Sequence, residues 1–254
     1  MVNSRLLISV VTATASIVLM PVTNWLDGSL NLLTSPALAI PTQTQSKNFS
    51  YVPPQRGMPR RTQGAGSRGC TESQAVELAL LVPNDHTAET LSGHPTFSWY
   101  VSTLPSEPLE FALVESGVAE PIFVKQLQLQ KAGIVQLEMP KNLPELVPGK
   151  EYRWSVTLIC NTERRSNDTF AQSWIKRVPR PPALEQQLAT ARTERDRALA
   201  YAEAGLWYDA IDTLIAAQTS YSTNSSIRED FLALLEQAGV TGIPMQAQQR
   251  LAKY

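Results

Sequence analysis

Apolar and polar positions alternate in short runs between residues 76 and 178, and then the period changes. In Tyr152-Arg153-Trp154-Ser155-Val156-Thr157-Leu158 the aromatic and aliphatic side chains fall on one face, and Arg153, Ser155 and Thr157 on the other. That two-residue period marks a strand buried on one side. Phe97, Trp99 and Val101 repeat it, as do Val135, Leu137 and Met139. Strands are expected near 76–82, 96–102, 109–115, 121–129, 133–139, 151–160 and 172–178. Pro83, Pro95, Pro105, Pro108, Pro121, Pro140, Pro144 and Pro148 punctuate them, because proline cannot donate to a ladder. Seven short strands over 70–180 predict an antiparallel β-sandwich.

Beyond Arg180-Pro181-Pro182 the spacing turns helical. Leu184, Leu188, Ala191, Ala198, Ala202 and Leu206 form one apolar stripe, which Gly205 ends. Ala210, Ile211, Leu214, Ile215 and Ala217 form a second stripe, and Ile227, Phe231, Leu234 and Ala238 a third. Ser226-Ile227-Arg228-Glu229 reads as a capping box opening the third helix, and Gly239 closes it. The fold class expected is therefore α+β in separate parts, a sandwich followed by a three-helix segment over 181–254.

The N-terminus follows other rules. One charge, Arg5, precedes the apolar run Leu6 to Met20, and a second apolar stretch ends in Ser35-Pro36-Ala37-Leu38-Ala39. The Ala37-x-Ala39 pair is a cleavage site of signal-peptidase type. The run is short of the ~20 residues a membrane span needs, and Asn24 and Asp27 interrupt its extension. Residues 1–39 are thus expected to be a cleaved signal peptide, leaving a mature chain from about Ile40 with no transmembrane span; an uncleaved anchor is the alternative. The exported chain would reside in the periplasm, at the cell surface or outside the cell. Residues 40–69 carry Lys47, Arg56, Arg60, Arg61 and Arg68, no acid, and much Pro, Gln, Ser and Gly. They read as a flexible basic linker.

Charge adds one exclusion and one asymmetry. The formal net charge is −1, from 22 basic and 23 acidic side chains. A neutral total excludes the basic footprint of a nucleic-acid binder. The total conceals a basic 40–69 and an acidic remainder. Hydrophobic residues make up 43 % of the chain and charged residues 18 %, a globular composition. Two His and two Cys cannot furnish a multi-site zinc protein or a disulfide-dense scaffold.

Several stretches resemble known architectures. Leu146-Val147-Pro148-Gly149-Lys150-Glu151-Tyr152-Arg153-Trp154 resembles the turn and tyrosine corner before the penultimate strand of fibronectin type III and related immunoglobulin-like domains. The resemblance implies that the Tyr152 hydroxyl bonds to upstream backbone. Pro95-Thr96-Phe97-Ser98-Trp99 resembles an early core strand of those domains, whereas Leu158 stands where the antibody pattern has Tyr. Ala200-Tyr201, Gly205 and Trp207-Tyr208-Asp209-Ala210-Ile211 resemble the second half of a tetratricopeptide unit; Glu194 and Arg197 depart from its first half, and no second copy follows.

A wider set of elements occurs in one order. It comprises the Arg/Gly stretch ending at Cys70, Leu80-Leu81-Val82-Pro83, His94-Pro95-Thr96-Phe97, Tyr152-Arg153-Trp154-Ser155, Leu158-Ile159-Cys160, Ser173-Trp174-Ile175-Lys176-Arg177-Val178 and the hairpin from Tyr201 to Ala210. By these elements, through most of 56–238, the chain resembles the cyanobacterial proteins grouped as domain of unknown function 928. The resemblance implies an exported cyanobacterial protein and no particular reaction.

Candidate chemistry is sparse. Cys70 and Cys160, an even pair in an exported chain, predict a disulfide; two buried free thiols are the alternative. Gly64-Ala65-Gly66-Ser67-Arg68-Gly69 fits the dinucleotide fingerprint but lies in the linker, without the strand and helix that such a loop needs. His86 and His94 flank a loop with Asp85 and Glu89, the residue types of a two-His-one-carboxylate metal site, although loop histidines are commonly just solvated. No catalytic residue and no cofactor is assigned. Trp174, Trp207 and Tyr208 are the candidate binding residues, as aromatics able to stack on sugars. The reading is a non-enzymatic exported module whose partner is a protein or an envelope glycan. An enzyme using a loop histidine and carboxylates is the remaining alternative.

Overall fold

Residues that alternate in sequence alternate in space. Along Glu151–Leu158, Tyr152, Trp154, Val156 and Leu158 are buried and Arg153 is exposed. The computed structural model describes residues 48–54, 62, 70, 76–220, 225–240, 243 and 251–252, which lie within one unit, 46–254. The predicted signal peptide and residues 40–47, 55–61 and 63–69 of the predicted linker are outside the described residues.

The strands are β1 (Leu78–Leu80), β2 (Ala88–Thr90), β3 (Thr96–Val101), β4 (Leu109–Glu115), β5 (Pro121–Leu127), β6 (Gly133–Glu138), β7 (Glu151–Leu158), β8 (Thr169–Arg177) and β9 (Leu251–Ala252). They form a four-stranded sheet, β1-β3-β6-β9, and a five-stranded sheet, β2-β8-β7-β4-β5. All seven expected strands are present within a few residues of their predicted ends. The all-antiparallel expectation is corrected at two places. β2 pairs in parallel with β8, Ala88 opposite Ile175, and β9 pairs in parallel with β6, Ile134 opposite Leu251. Strands of two or three residues carry no readable period, so neither was expected. β9 also returns the chain to a sheet inside the stretch assigned to helices.

Aromatic side chains of the two sheets meet in one core. Phe97 of β3 lies 4.9 Å from Phe111 of β4 and 5.1 Å from Trp154 of β7, centroid to centroid. Tyr152 fills the turn that precedes β7: the Val147 N–H donates to its hydroxyl at 2.9 Å, the upstream bond that the Pro148-Gly149 turn implies. Cys70 and Cys160 are disulfide-bonded, closing a separation of 90 residues.

Four helices follow: α1 (Pro182–Thr190), α2 (Glu194–Glu203), α3 (Trp207–Ser220) and α4 (Ser225–Gln237). The stripe expected to be a single first helix divides in two. Thr193 caps α2, its hydroxyl accepting from the Asp196 N–H while the Asp196 carboxylate accepts from the Thr193 N–H. This is a capping box in which Asp takes the place of Glu. α4 begins at Ser225, so Ser226 lies in its first turn rather than capping it. At the end of α2, Gly205 has φ +78°. The Leu206 N–H bonds to the Tyr201 carbonyl and the Gly205 N–H to the Ala202 carbonyl, the Schellman pairing that glycine favours.

The helices share the core of the sheets. Trp207, Leu214, Phe231 and Leu234 are buried in the same cluster as Trp99, Phe111 and Trp154. Residues 48–54 differ from the linker expectation. Phe49 and Tyr51 are buried in this cluster. The Val52 N–H donates to the Ala202 carbonyl at 3.0 Å. Gln237 accepts from the Tyr51 N–H at 2.8 Å and donates to the Phe49 carbonyl at 3.1 Å. Two aromatics among polar residues suffice to anchor the segment, because each removes a large apolar surface from water.

Candidate functional site

α3 carries acidic side chains on the flank of its buried stripe. Ala210, Ile211, Leu214 and Ile215 face the core. Asp209 and Asp212, three apart, project from one side of the helix, next to Tyr208. β6 supplies the opposite wall by the same logic of periods. Val135 and Leu137 are buried, so Gln136 and Glu138 share the other face. Thr96 of β3 is paired with Glu138. The turn after β2, through Ser92, His94 and Pro95, completes the rim.

These elements enclose a cleft of about 480 Å³ lined by Thr90, Ser92, His94, Pro95, Thr96, Gln136, Glu138, Lys141, Tyr208, Asp209 and Asp212. Such a volume suits a small organic ligand. The wall is mostly carboxylates, hydroxyls and one amide, and its polar groups are held by fixed partners. The Leu91 N–H donates to Asp209 at 3.1 Å, and the Thr90 side chain also bonds to it. The Gln136 amide donates to Asp212 at 3.1 Å, which also bonds the Thr96 side chain. Lys141 pairs with Glu138 at 2.8 Å. His94 donates Nε2–H to the Leu143 carbonyl at 2.8 Å, so in the neutral ring Nδ1 keeps its lone pair.

Burial shapes the acidity of the floor. It pushes the Asp209 carboxyl up to about 6, against the pull of the bonds from Leu91 and Thr90. Burial likewise raises Asp212, opposed by the Thr96 bond and reinforced by the charge of Glu138. Tyr208 forms part of the inner wall. Its hydroxyl accepts from the Trp154 indole N–H at 2.7 Å and donates to the Trp174 carbonyl at 3.3 Å, and burial holds its acidity far below that of a free phenol.

The structure places the predicted site residues apart. His94 lines the cleft and His86 does not. His86 is buried, its Nε2 against the Tyr51 hydroxyl at 2.8 Å and its Nδ1 against Asp85 at 2.7 Å. Both its nitrogens are thus engaged, Nε2 in tying 48–54 to the body and Nδ1 on its neighbour Asp85. Among the described residues no three His, Cys, Asp or Glu side chains come together as a metal site. The stacking assignment is corrected. Trp207 is fully buried, its indole N–H bonded to the Leu81 carbonyl at 2.8 Å, and Tyr208 is buried apart from its edge on the cleft. Trp174 is half-buried. Neither Trp207 nor Tyr208 can offer an open ring face, because both are spent on joining α3 to the sheets. Asp209, Asp212, Gln136 and Glu138 were not among the sequence candidates. Their only signals were an i, i+3 acid pair on α3 and the polar phase of β6, and neither reveals that the two elements meet.

A family model described as Domain of Unknown Function (DUF928) matches residues 63–249. No curated protein matches the chain.

Proposed function

The chain belongs to the family of Domain of Unknown Function 928, and from that premise we propose that it is an exported, non-enzymatic binding module of a cyanobacterial envelope, which takes a saccharide in the cleft beside α3. The observation that carries this reading is the cleft itself. Its carboxylates, hydroxyls and amide are anchored by their own hydrogen bonds and so stand pre-positioned for a ligand rich in hydroxyl groups. Preorganised polar groups cost little ordering on binding. The site replaces the aromatic platform expected from Trp207 and Tyr208.

Export rests on Arg5, the Leu6–Met20 run and the Ala37-x-Ala39 site. The disulfide agrees with an oxidising compartment. Among the described residues no helix is long and apolar enough to cross a membrane. We read the two sheets as an immunoglobulin- or fibronectin-like sandwich on the strength of the Phe97, Phe111 and Trp154 contacts and the Tyr152 turn. We read α2–α3 as a tetratricopeptide-like hairpin, given the buried small residues Ala198, Ala202 and Ala210. That hairpin is spent on bracing the sheets, so it leaves the glycan rather than a protein as the favoured partner.

A second reading is supported by one observation. Asp209, whose pKa burial raises, lines the cleft with Asp212 and His94, and a carboxyl that holds its proton near neutrality can serve as a general acid. The binding reading takes precedence because the Asp209 carboxyl accepts from Thr90 and Leu91, bonds that favour its charged, accepting form over a proton donor. Titration of the disulfide-bonded chain with mono- and disaccharides, followed by amide NMR, separates the two. Shifts at Thr96, Gln136 and Asp212 without turnover are expected. Absence of shifts overturns the binding reading, and hydrolysis that is lost in Asp209→Asn replaces it with the enzymatic one.

A further inference from the structure

The charges of the cleft do not balance. Glu138 and Lys141 form an exposed pair at its rim, 2.8 Å apart, and largely satisfy each other. Among the described residues Asp209 and Asp212 have no such counterpart. Their carboxylates accept from two backbone N–H groups, two threonine hydroxyls and a glutamine amide, all neutral. Lys141 lies close enough for its field to reach Asp212, but its ammonium is bonded to Glu138. His94 spends Nε2–H on the Leu143 carbonyl and lines the cleft.

We propose that the cleft selects ligands carrying a primary ammonium group, and that its ligand class is the free amino sugars. The proposal rests on the saccharide reading above and narrows it. An ammonium brings three N–H donors and one positive charge. Two aspartates three residues apart on one helical face can accept from a single ammonium together. A metal ion is a poor substitute, because the described carboxylates do not converge as three ligands on one point. The remaining wall, Ser92, Thr96 and Gln136, supplies hydroxyl and amide groups for the rest of a sugar ring. Acetylating the amine would remove the charge and add bulk, so an N-acetyl sugar should be discriminated against by the same pair.

The test compares glucosamine, N-acetylglucosamine and glucose as probes, by calorimetry or NMR titration of the disulfide-bonded chain near pH 7.5. Glucosamine is expected to bind about tenfold more tightly than the other two, the usual scale for a charge-assisted hydrogen bond. Asp212→Asn should abolish most of that preference. Lys141→Gln, at an exposed position, should strengthen glucosamine binding about threefold by releasing Glu138 from its pair. Equal affinity for all three sugars overturns the ammonium proposal and leaves the saccharide reading standing. Binding of none overturns both. Should Asp212→Asn fail to fold, the Lys141→Gln result decides, and weaker or unchanged glucosamine binding there overturns the proposal.

Discussion

The indole N–H of Trp154 on β7 donates to the hydroxyl of Tyr208 on α3 at 2.7 Å, deep in the core. The bond joins the centre of the five-stranded sheet to the helix that lines the cleft, so packing and site share one polar link. Tyr208 also sets its ring edge-on to Phe97, centroids 6.0 Å apart. Tyr208→Phe keeps the ring and removes the acceptor, leaving the Trp154 N–H buried and unpaired. Such an orphan costs about 1–3 kcal/mol. Urea unfolding should report a loss of that size, and an unchanged midpoint would mean that the bond carries no net stability.

The Cys70–Cys160 disulfide ties the residue ahead of β1 to the end of β7 across 90 positions. Both cysteines are partly buried and pack against the core. The chain-entropy model assigns a loop of this length about 4–5 kcal/mol, as an upper figure, through restriction of the unfolded chain. Replacing both cysteines by serine should lower the unfolding midpoint markedly while leaving the far-UV spectrum native. Thiol titration of the unreduced wild-type chain should find no free thiol, and two free thiols would contradict the bond.

The parts of the fold readable beforehand are those with a repeating period. β7 shows its buried Tyr152, Trp154, Val156 and Leu158 as plainly in sequence as in space. The Tyr152 turn and the glycine end of α2 rest on local chemistry and were equally legible. What was missed is tertiary. Nothing near Phe49 and Tyr51 announces that they reach His86, Trp207 and Gln237. β2 and β9 are too short to carry a pattern. The cleft unites β2, β6 and α3, elements up to about 120 residues apart, so its acids look in sequence like an ordinary solvated helix flank. Trp207 and Tyr208 were legible as important but not as buried, since an aromatic next to a helix start looks the same in either role.

Gln237 grips the backbone of 48–54 at both Phe49 and Tyr51, and Val52 passes over the end of α2. A Cβ built on Gly205 would lie 3.1 Å from the Val52 carbonyl, at a φ of +78°. Gln237→Ala should therefore release the segment with little effect on the sheets. Hydrogen exchange at Tyr51 and Val52 should accelerate while exchange in β7 stays slow, as expected of a unit that opens locally. Gly205→Ala should produce the same local release together with a global loss of about 1 kcal/mol or more from the left-handed backbone. Uniform acceleration across the sheets in Gln237→Ala would show instead that the segment opens only with the whole fold.

Asp209 gives the stability a pH dependence whose sign is opposite to that of a salt-bridged acid. Burial raises its carboxyl from an ordinary 3.8 to about 6, so between those values the folded chain holds a proton that the unfolded chain has released. The folded state binds more protons, and its stability therefore rises as pH falls through this window. Above pH 6 the charge is retained at a cost, on the order of 2 kcal/mol once partial exposure to the cleft is discounted. Asp209→Asn removes the charge and keeps an oxygen to accept from the Leu91 N–H. The variant should be more stable than wild type by roughly that amount at pH 7.5, and the advantage should vanish by about pH 4, where both the folded and unfolded carboxyls approach neutrality. Thermal unfolding of the two proteins at pH 4, 6 and 7.5 measures this directly. A difference that is constant across the series would show that Asp209 titrates normally, and would place its carboxylate in open contact with water.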